Sequence, residues 1–228
     1  MLRTRLLRFL ERVVSRLRAD LPFTVLFAVL ALAYLAPLVF VRHLPFQDSP
    51  AHLAVVEAWR NLEAPNLLGQ YYAPGTVVSP YITYYGSLRL LGALMPLDIA
   101  NQLLLVGYVL ALPLGLTYLL TRFGRDARYG LLGFAFVYNT PLIFGFVSNA
   151  LAVPLLLLTF GLMKEYLDRP KILKELALAL CVLSLYFTHV LVFIVFAGAA
   201  PVIFFAQTYR PLAILRRSLV VLPTLGFG

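Results

Sequence analysis

The stretch LPFTVLFAVLALAYLAPLVFV, residues 21–41, decides the fold. It carries no charged side chain, and as a helix it is about 30 Å long, the thickness of the hydrocarbon core of a bilayer. Comparable apolar runs recur at about 98–121, 129–147 and 150–167. The whole chain is 61% hydrophobic and 13% charged with a mean hydropathy of +0.88. A soluble domain has about half apolar and about a quarter charged residues, so 228 residues of this composition could not hide their apolar surface from water. Lipid is the expected solvent, and the expected fold class is all-α, a polytopic transmembrane helical bundle.

The formal net charge of +9 would point to nucleic acid in a soluble protein. Here the basic residues sit at the ends of the apolar runs, which is a topological pattern and excludes nucleic acid as the expected partner. Arg3, Arg5, Arg8, Arg12, Arg16 and Arg18 alternate with Leu, Phe and Val at helical spacing, so residues 1–20 read as a cytoplasmic amphipathic helix on an anionic membrane face. Such a start also describes a secretory signal, but the apolar run continues through Val41, past a normal signal core, and an uncleaved anchor is expected. Arg122, Arg125 and Arg128 separate the second and third runs, and Lys164, Arg169, Lys171 and Lys174 follow the fourth.

Residues 175–208 form an apolar stretch that would be about 51 Å long as one helix, too long for a single crossing. Positive charge flanks both ends, with Lys171 and Lys174 before it and Arg210, Arg216 and Arg217 after it. Two spans with a tight outer turn near His189 satisfy the positive-inside rule. On that topology about 16 of the 19 basic residues face the cytoplasm, as does the N-terminus. A further run begins at about Ser218 and reaches only Gly228, so residues 21–228 are expected to be a transmembrane domain truncated within a seventh span. Cys181 is alone and lies in an apolar run, which excludes a disulfide framework and a cysteine-based metal site. The expected localisation is the cell (inner or plasma) membrane, multi-pass.

One connection is far longer than the rest. Residues 42–97 form a first extracytoplasmic loop in which Ser49 to Leu62 and Ser79 to Leu94 read as amphipathic surface helices. All three histidines, His43, His52 and His189, fall on this side, together with Asp48, Glu57, Glu63 and Asp98. Asp48 and His52 are four residues apart and share a helical face, as a helix cap beside an interfacial histidine or as a pair of metal ligands. Tyr71, Tyr72, Tyr81, Tyr84 and Tyr85 read first as an interfacial aromatic belt, a role compatible with holding a sugar ring or a headgroup. Asn149 falls in the short outer turn between the third and fourth runs. His189 is embedded in apolar sequence and needs water or a partner. The sequence holds no phosphate-binding glycine loop, no dinucleotide fingerprint, no zinc-protease helix and no nucleophile elbow, which argues against ATP-driven chemistry.

The order of these features resembles the GT-C superfamily of membrane glycosyltransferases, which includes protein mannosyltransferases and lipid A aminoarabinose transferases. The resemblance rests on the basic start, one span, a long outer loop opening with Gln47-Asp48-Ser49-Pro50-Ala51-His52, and closely spaced later spans. Phe136-Val137-Tyr138-Asn139-Thr140-Pro141, Gly145-Phe146-Val147-Ser148-Asn149-Ala150-Leu151-Ala152 and Leu185-Tyr186-Phe187-Thr188-His189 look like that superfamily's third, fourth and fifth spans. The resemblance implies sugar transfer from a polyprenyl-phosphate donor to an acceptor on the extracytoplasmic face, with membrane lipid and the lipid-linked sugar as partners. It makes Asp48 the catalytic carboxylate, as general base or as ligand, with His52, of a divalent metal such as Mg or Mn. Arg42 and Arg89 become candidates for the donor's phosphate, and His52, His189, Tyr84, Tyr85 and Asn149 for substrate contacts. The loop has no Asp-x-Asp. A non-catalytic polytopic membrane protein is the alternative, as a transporter fragment, a scaffold subunit or an inactive relative. Against a transporter, the spans between 98 and 167 carry almost no ionisable residue at mid-depth.

Overall fold

The computed structural model describes residues 20–41, 44–62, 68–72 and 79–207. The basic segment 1–19, Arg42, His43, Glu63 and the run beginning near Ser218 lie outside the described residues. Among the described residues all regular structure is helical. The elements are α1 (Leu21–Phe40), α2 (Ser49–Arg60), α3 (Leu68–Tyr71), α4 (Ile82–Gly92), α5 (Leu97–Arg122), a 3-10 helix (Ala127–Phe136), α6 (Thr140–Ile143), α7 (Val147–Asp168), α8 (Ile172–Thr188) and α9 (Val190–Gln207).

Three of these, α1, α5 and α7, are long and apolar enough to cross a membrane. Asp20 starts α1, its carboxylate accepting from the Phe23 amide at 3.3 Å, with Pro22 in the first turn where a missing N–H costs nothing. Much of α1 points away from the protein, with Leu32 70% and Phe40 85% exposed. A helix that is apolar on its exposed side is suited to lipid. The two amphipathic stretches of the long loop form α2 and α4, within three residues of the expected ends.

The third apolar run does not form the expected span at 129–147. It begins as a ten-residue 3-10 helix, becomes extended at Asn139, makes the short α6 and turns at Gly145 into α7. The reason lies in how closely this segment approaches α5. A Cβ on Gly133 would lie 2.6 Å from Pro113 Cα, and one on Gly130 would meet the Thr117 side chain. Residues three apart line up on a 3-10 helix, as residues four apart do on an α-helix. The two glycines therefore match Thr117 and Pro113 in antiparallel register. Farther along, Tyr108 donates to the Val137 carbonyl at 2.9 Å, and Asn139 donates to Tyr108 Oη at 3.2 Å while capping α6 through the Leu142 amide at 3.0 Å. Tyr138 ties the segment to α1 by donating to the Tyr34 carbonyl at 2.6 Å, with the two rings stacked.

The long stretch that begins at 175 breaks at His189, whose backbone is extended (φ −163°, ψ 113°). A three-residue link joins α7 to α8, and Lys174 reaches Glu165 at 3.2 Å, so the two helices run antiparallel. The Phe160 and Phe196 rings are 5.2 Å apart. Phe196 is seven residues past the break and Phe160 eight past Ala152, where α7 lies level with the end of α8, so α9 folds back beside both. A continuous helix would carry Phe196 the other way, on the order of 20 Å from Phe160. The break thus forms the helical hairpin expected from the flanking charge.

Candidate functional site

The head of α2 is set by backbone contacts from a distant part of the chain. Gln47 N donates to the Ile143 carbonyl and Asp48 N to the Phe144 carbonyl, each at 3.1 Å. Gly145 makes this docking possible. Its φ of +89° is a conformation L side chains rarely adopt, and a Cβ there would lie 2.6 Å from Asp48 N. Asp48 occupies the cap position of α2, yet its carboxylate makes no capping hydrogen bond. The backbone is held, and among the described residues no hydrogen bond or ion pair engages the carboxylate.

One turn later, His52 Nδ1 shares a hydrogen bond with the Tyr85 hydroxyl at 2.7 Å. Burial lowers the His52 pKa below its ordinary value, against the opposing pull of the Asp48 charge and the Gly145 carbonyl. Burial likewise raises the Tyr85 hydroxyl, with Tyr81 adding to the effect.

The tyrosines of α4 link the rest. Tyr84 is wholly buried and donates to Asn101 Oδ1 at 2.9 Å, while Asn101 Nδ2 donates to Ser49 Oγ at 3.1 Å. This relay fastens α2, α4 and α5 together, and burial pushes the Tyr84 pKa upward. Tyr81 lies one turn before Tyr85, and its ring meets His189 edge-on at 5.4 Å between centroids. His189 is 9% exposed, and its Nδ1 is buried without a hydrogen-bond partner. A row thus runs from Asp48 through His52, Tyr85 and Tyr81 to His189.

The remaining candidates fall differently. Arg89 is exposed and stacks over the Trp59 ring at 4.3 Å, about 12 Å along α4 from Tyr81. Asn149 lies in the first turn of α7 rather than in a turn between spans, and among the described residues no hydrogen bond joins it to Asp48 or His52. Tyr84 reaches no surface, so its part is to hold the scaffold and not to touch substrate. Asn101, Ser49 and Gly145 were not singled out by the sequence. Asn101 had a readable signal, since an amide pair, Asn101-Gln102, interrupts an otherwise apolar run near its start.

Among the described residues no group of three or more His, Cys, Asp or Glu side chains could hold a metal ion, so Asp48 and His52 gain no third such ligand there. Compared with protein-family models, curated proteins and solved structures, the chain matches none.

Proposed function

We propose that the chain is a multi-spanning membrane protein, N-terminus cytoplasmic, that transfers a sugar from a polyprenyl-phosphate donor to an acceptor at the extracytoplasmic end of its helical bundle. The uncommitted Asp48 carboxylate carries this reading: it heads α2, its backbone is pinned by α6, and capping does not consume it. Support for the placement comes from three helices of spanning length and from basic residues gathered at the end away from α2 and α4.

In this reading the Asp48 carboxylate accepts the proton of an acceptor hydroxyl. The freed oxygen bonds to the anomeric carbon of the donor, the bond from that carbon to the phosphate oxygen breaks, and its electron pair leaves with the lipid phosphate. His52 stays neutral and positions: its bond to Tyr85 holds α2 against α4. The buried Nδ1 of His189, which has no hydrogen-bond partner, is a second group of the row that meets a substrate hydroxyl, and the Tyr81 ring beside it offers an apolar face to a sugar. The test is transfer of labelled sugar from a polyprenyl-phosphate donor in membranes containing the full-length protein or Asp48→Asn. Asparagine caps about as well as aspartate but has no basicity. Near-wild-type turnover by Asp48→Asn removes the catalytic role and favours a non-catalytic membrane protein.

A further inference from the structure

A pocket of about 320 Å³ opens at the other end of the bundle, lined by Thr121, Arg122, Glu165, Asp168, Arg169 and Lys174. Its charges are unequal. Glu165 serves both Arg122, through Nε at 3.5 Å, and Lys174, at 3.2 Å, while Lys164 pairs with Asp168. Among the lining residues three cations, Arg122, Arg169 and Lys174, thus face two carboxylates, an excess of one. The cations are also held in place. The Tyr118 hydroxyl donates to Glu165 at 2.9 Å, the Arg122 guanidinium lies 4.7 Å from the Tyr118 ring centre, and Lys174 Nζ donates to the Glu165 carbonyl at 3.1 Å. The contact of Arg122 with Glu165 uses Nε, which leaves its terminal nitrogens for a second anion, and exposed Arg169 adds another planar fork.

We propose that this pocket binds the phosphate of an anionic membrane lipid. The excess positive charge calls for an anion, and the preorganised guanidinium suits the geometry of a phosphate. A lipid is favoured over a soluble anion because an exposed apolar stripe, Leu173, Leu176 and Leu180, begins one residue before Lys174 and runs along α8 at helical spacing. A headgroup at the pocket would lay its acyl chains on that stripe, at the level where the apolar parts of α5 and α7 end. The inference rests on the membrane placement proposed above and not on the transferase activity.

The test uses the full-length protein in neutral detergent, titrated with phosphatidylglycerol or phosphatidylcholine and read by native mass spectrometry and melting temperature. Phosphatidylglycerol should be retained roughly tenfold more tightly than phosphatidylcholine and should raise the melting temperature saturably. Arg169→Gln should remove most of that preference, and Arg169→Lys about half, since it keeps the charge and loses the fork. Lys171→Gln removes an exposed charge on the same link outside the pocket and should retain the preference. Equal retention by wild type and Arg169→Gln, or equal loss in Lys171→Gln, would overturn the site in favour of bulk charge attraction. Stabilisation by millimolar inorganic phosphate to the same extent would overturn the lipid assignment. The transferase activity of Asp48→Asn has no bearing on any of these readouts.

Discussion

The two ends of the bundle handle polar groups in opposite ways. Where α2 and α4 lie, the buried polar atoms belong to neutral groups joined in short relays, Ser49 to Asn101 to Tyr84 and Tyr85 to His52, the exposed Glu57 pairs with Arg60, and the carboxylate at the head of α2 has no partner among the described residues. At the opposite end the carboxylates are neutralised, Glu165 by Arg122 and Lys174, Asp168 by Lys164 and Asp20 by Arg128 at 2.9 Å. An ion-paired carboxylate has given up the basicity that proton transfer needs. In the proposed reading the first end carries the chemistry and the second the anchoring.

The comparison breaks most decisively at Asp48. Asp48→Asn should lower sugar transfer by roughly 10² or more with little change in expression or melting temperature, whereas Glu165→Gln should leave transfer close to wild type. Equal losses of transfer in the two variants would erase the distinction between the ends. Gly145→Ala comes next. It combines a left-handed backbone with a Cβ 2.6 Å from Asp48 N, so thermal unfolding should show a loss of about 1 to 3 kcal/mol. Because the strain falls on the residue that presents the carboxylate, transfer should drop by at least about tenfold in the fraction still folded. A fully stable and active Gly145→Ala would mean that the α6 contact does not position Asp48.

A smaller effect is expected at the charged end. Glu165 is partly exposed, so Glu165→Gln should cost about 1 kcal/mol or less at low salt. The loss comes from leaving Arg122 and Lys174 facing each other, and half-molar salt should reduce it by screening that repulsion. Melting curves of both proteins at two ionic strengths would check this, and a salt-independent loss would point to lost packing around Tyr118 instead.

What could be read from the sequence followed periodicity and charge. The three long helices, the two surface helices of the loop and the break near His189 all lie where apolar length and flanking cations put them. The 129–147 segment was misjudged because hydropathy reports length of apolar sequence and not the backbone it adopts. Its 3-10 form depends on Gly130 and Gly133 meeting Thr117 and Pro113, a tertiary match that local spacing does not show. The candidate site was legible in part for the same reason. Asp48, His52 and His189 stand out as ionisable groups near apolar sequence, but their connection runs through Tyr81, Tyr85 and Gly145, and the burial of Tyr84 through Asn101. None of these links follows from distance along the chain.

The smallest expected effect sharpens the contrast from the side of pH. His52 is half-buried and its pKa lies below the ordinary 6.5, because burial disfavours the charged ring more than Asp48 and the Gly145 carbonyl favour it. An unfolded chain therefore binds more protons at this position than the folded one, and stability rises with pH across the window. The contribution is fully present above about pH 6.5 and is lost as pH falls through the folded-state value. Protonation makes both ring nitrogens donors, so the Nδ1 bond to the Tyr85 hydroxyl must then run from ring to hydroxyl. His52→Gln keeps a polar side chain on α2 without a titrating group. Its melting temperature should be lower than wild type at pH 8 and should vary less between pH 8 and pH 5, so the two profiles converge on acidification. The charged end has no histidine among its described residues, and Glu165→Gln should keep the wild-type slope between pH 8 and pH 6. A His52→Gln profile parallel to wild type would show that the ring is not held neutral by its surroundings, and the description of this end as a neutral relay beside one free carboxylate would fail.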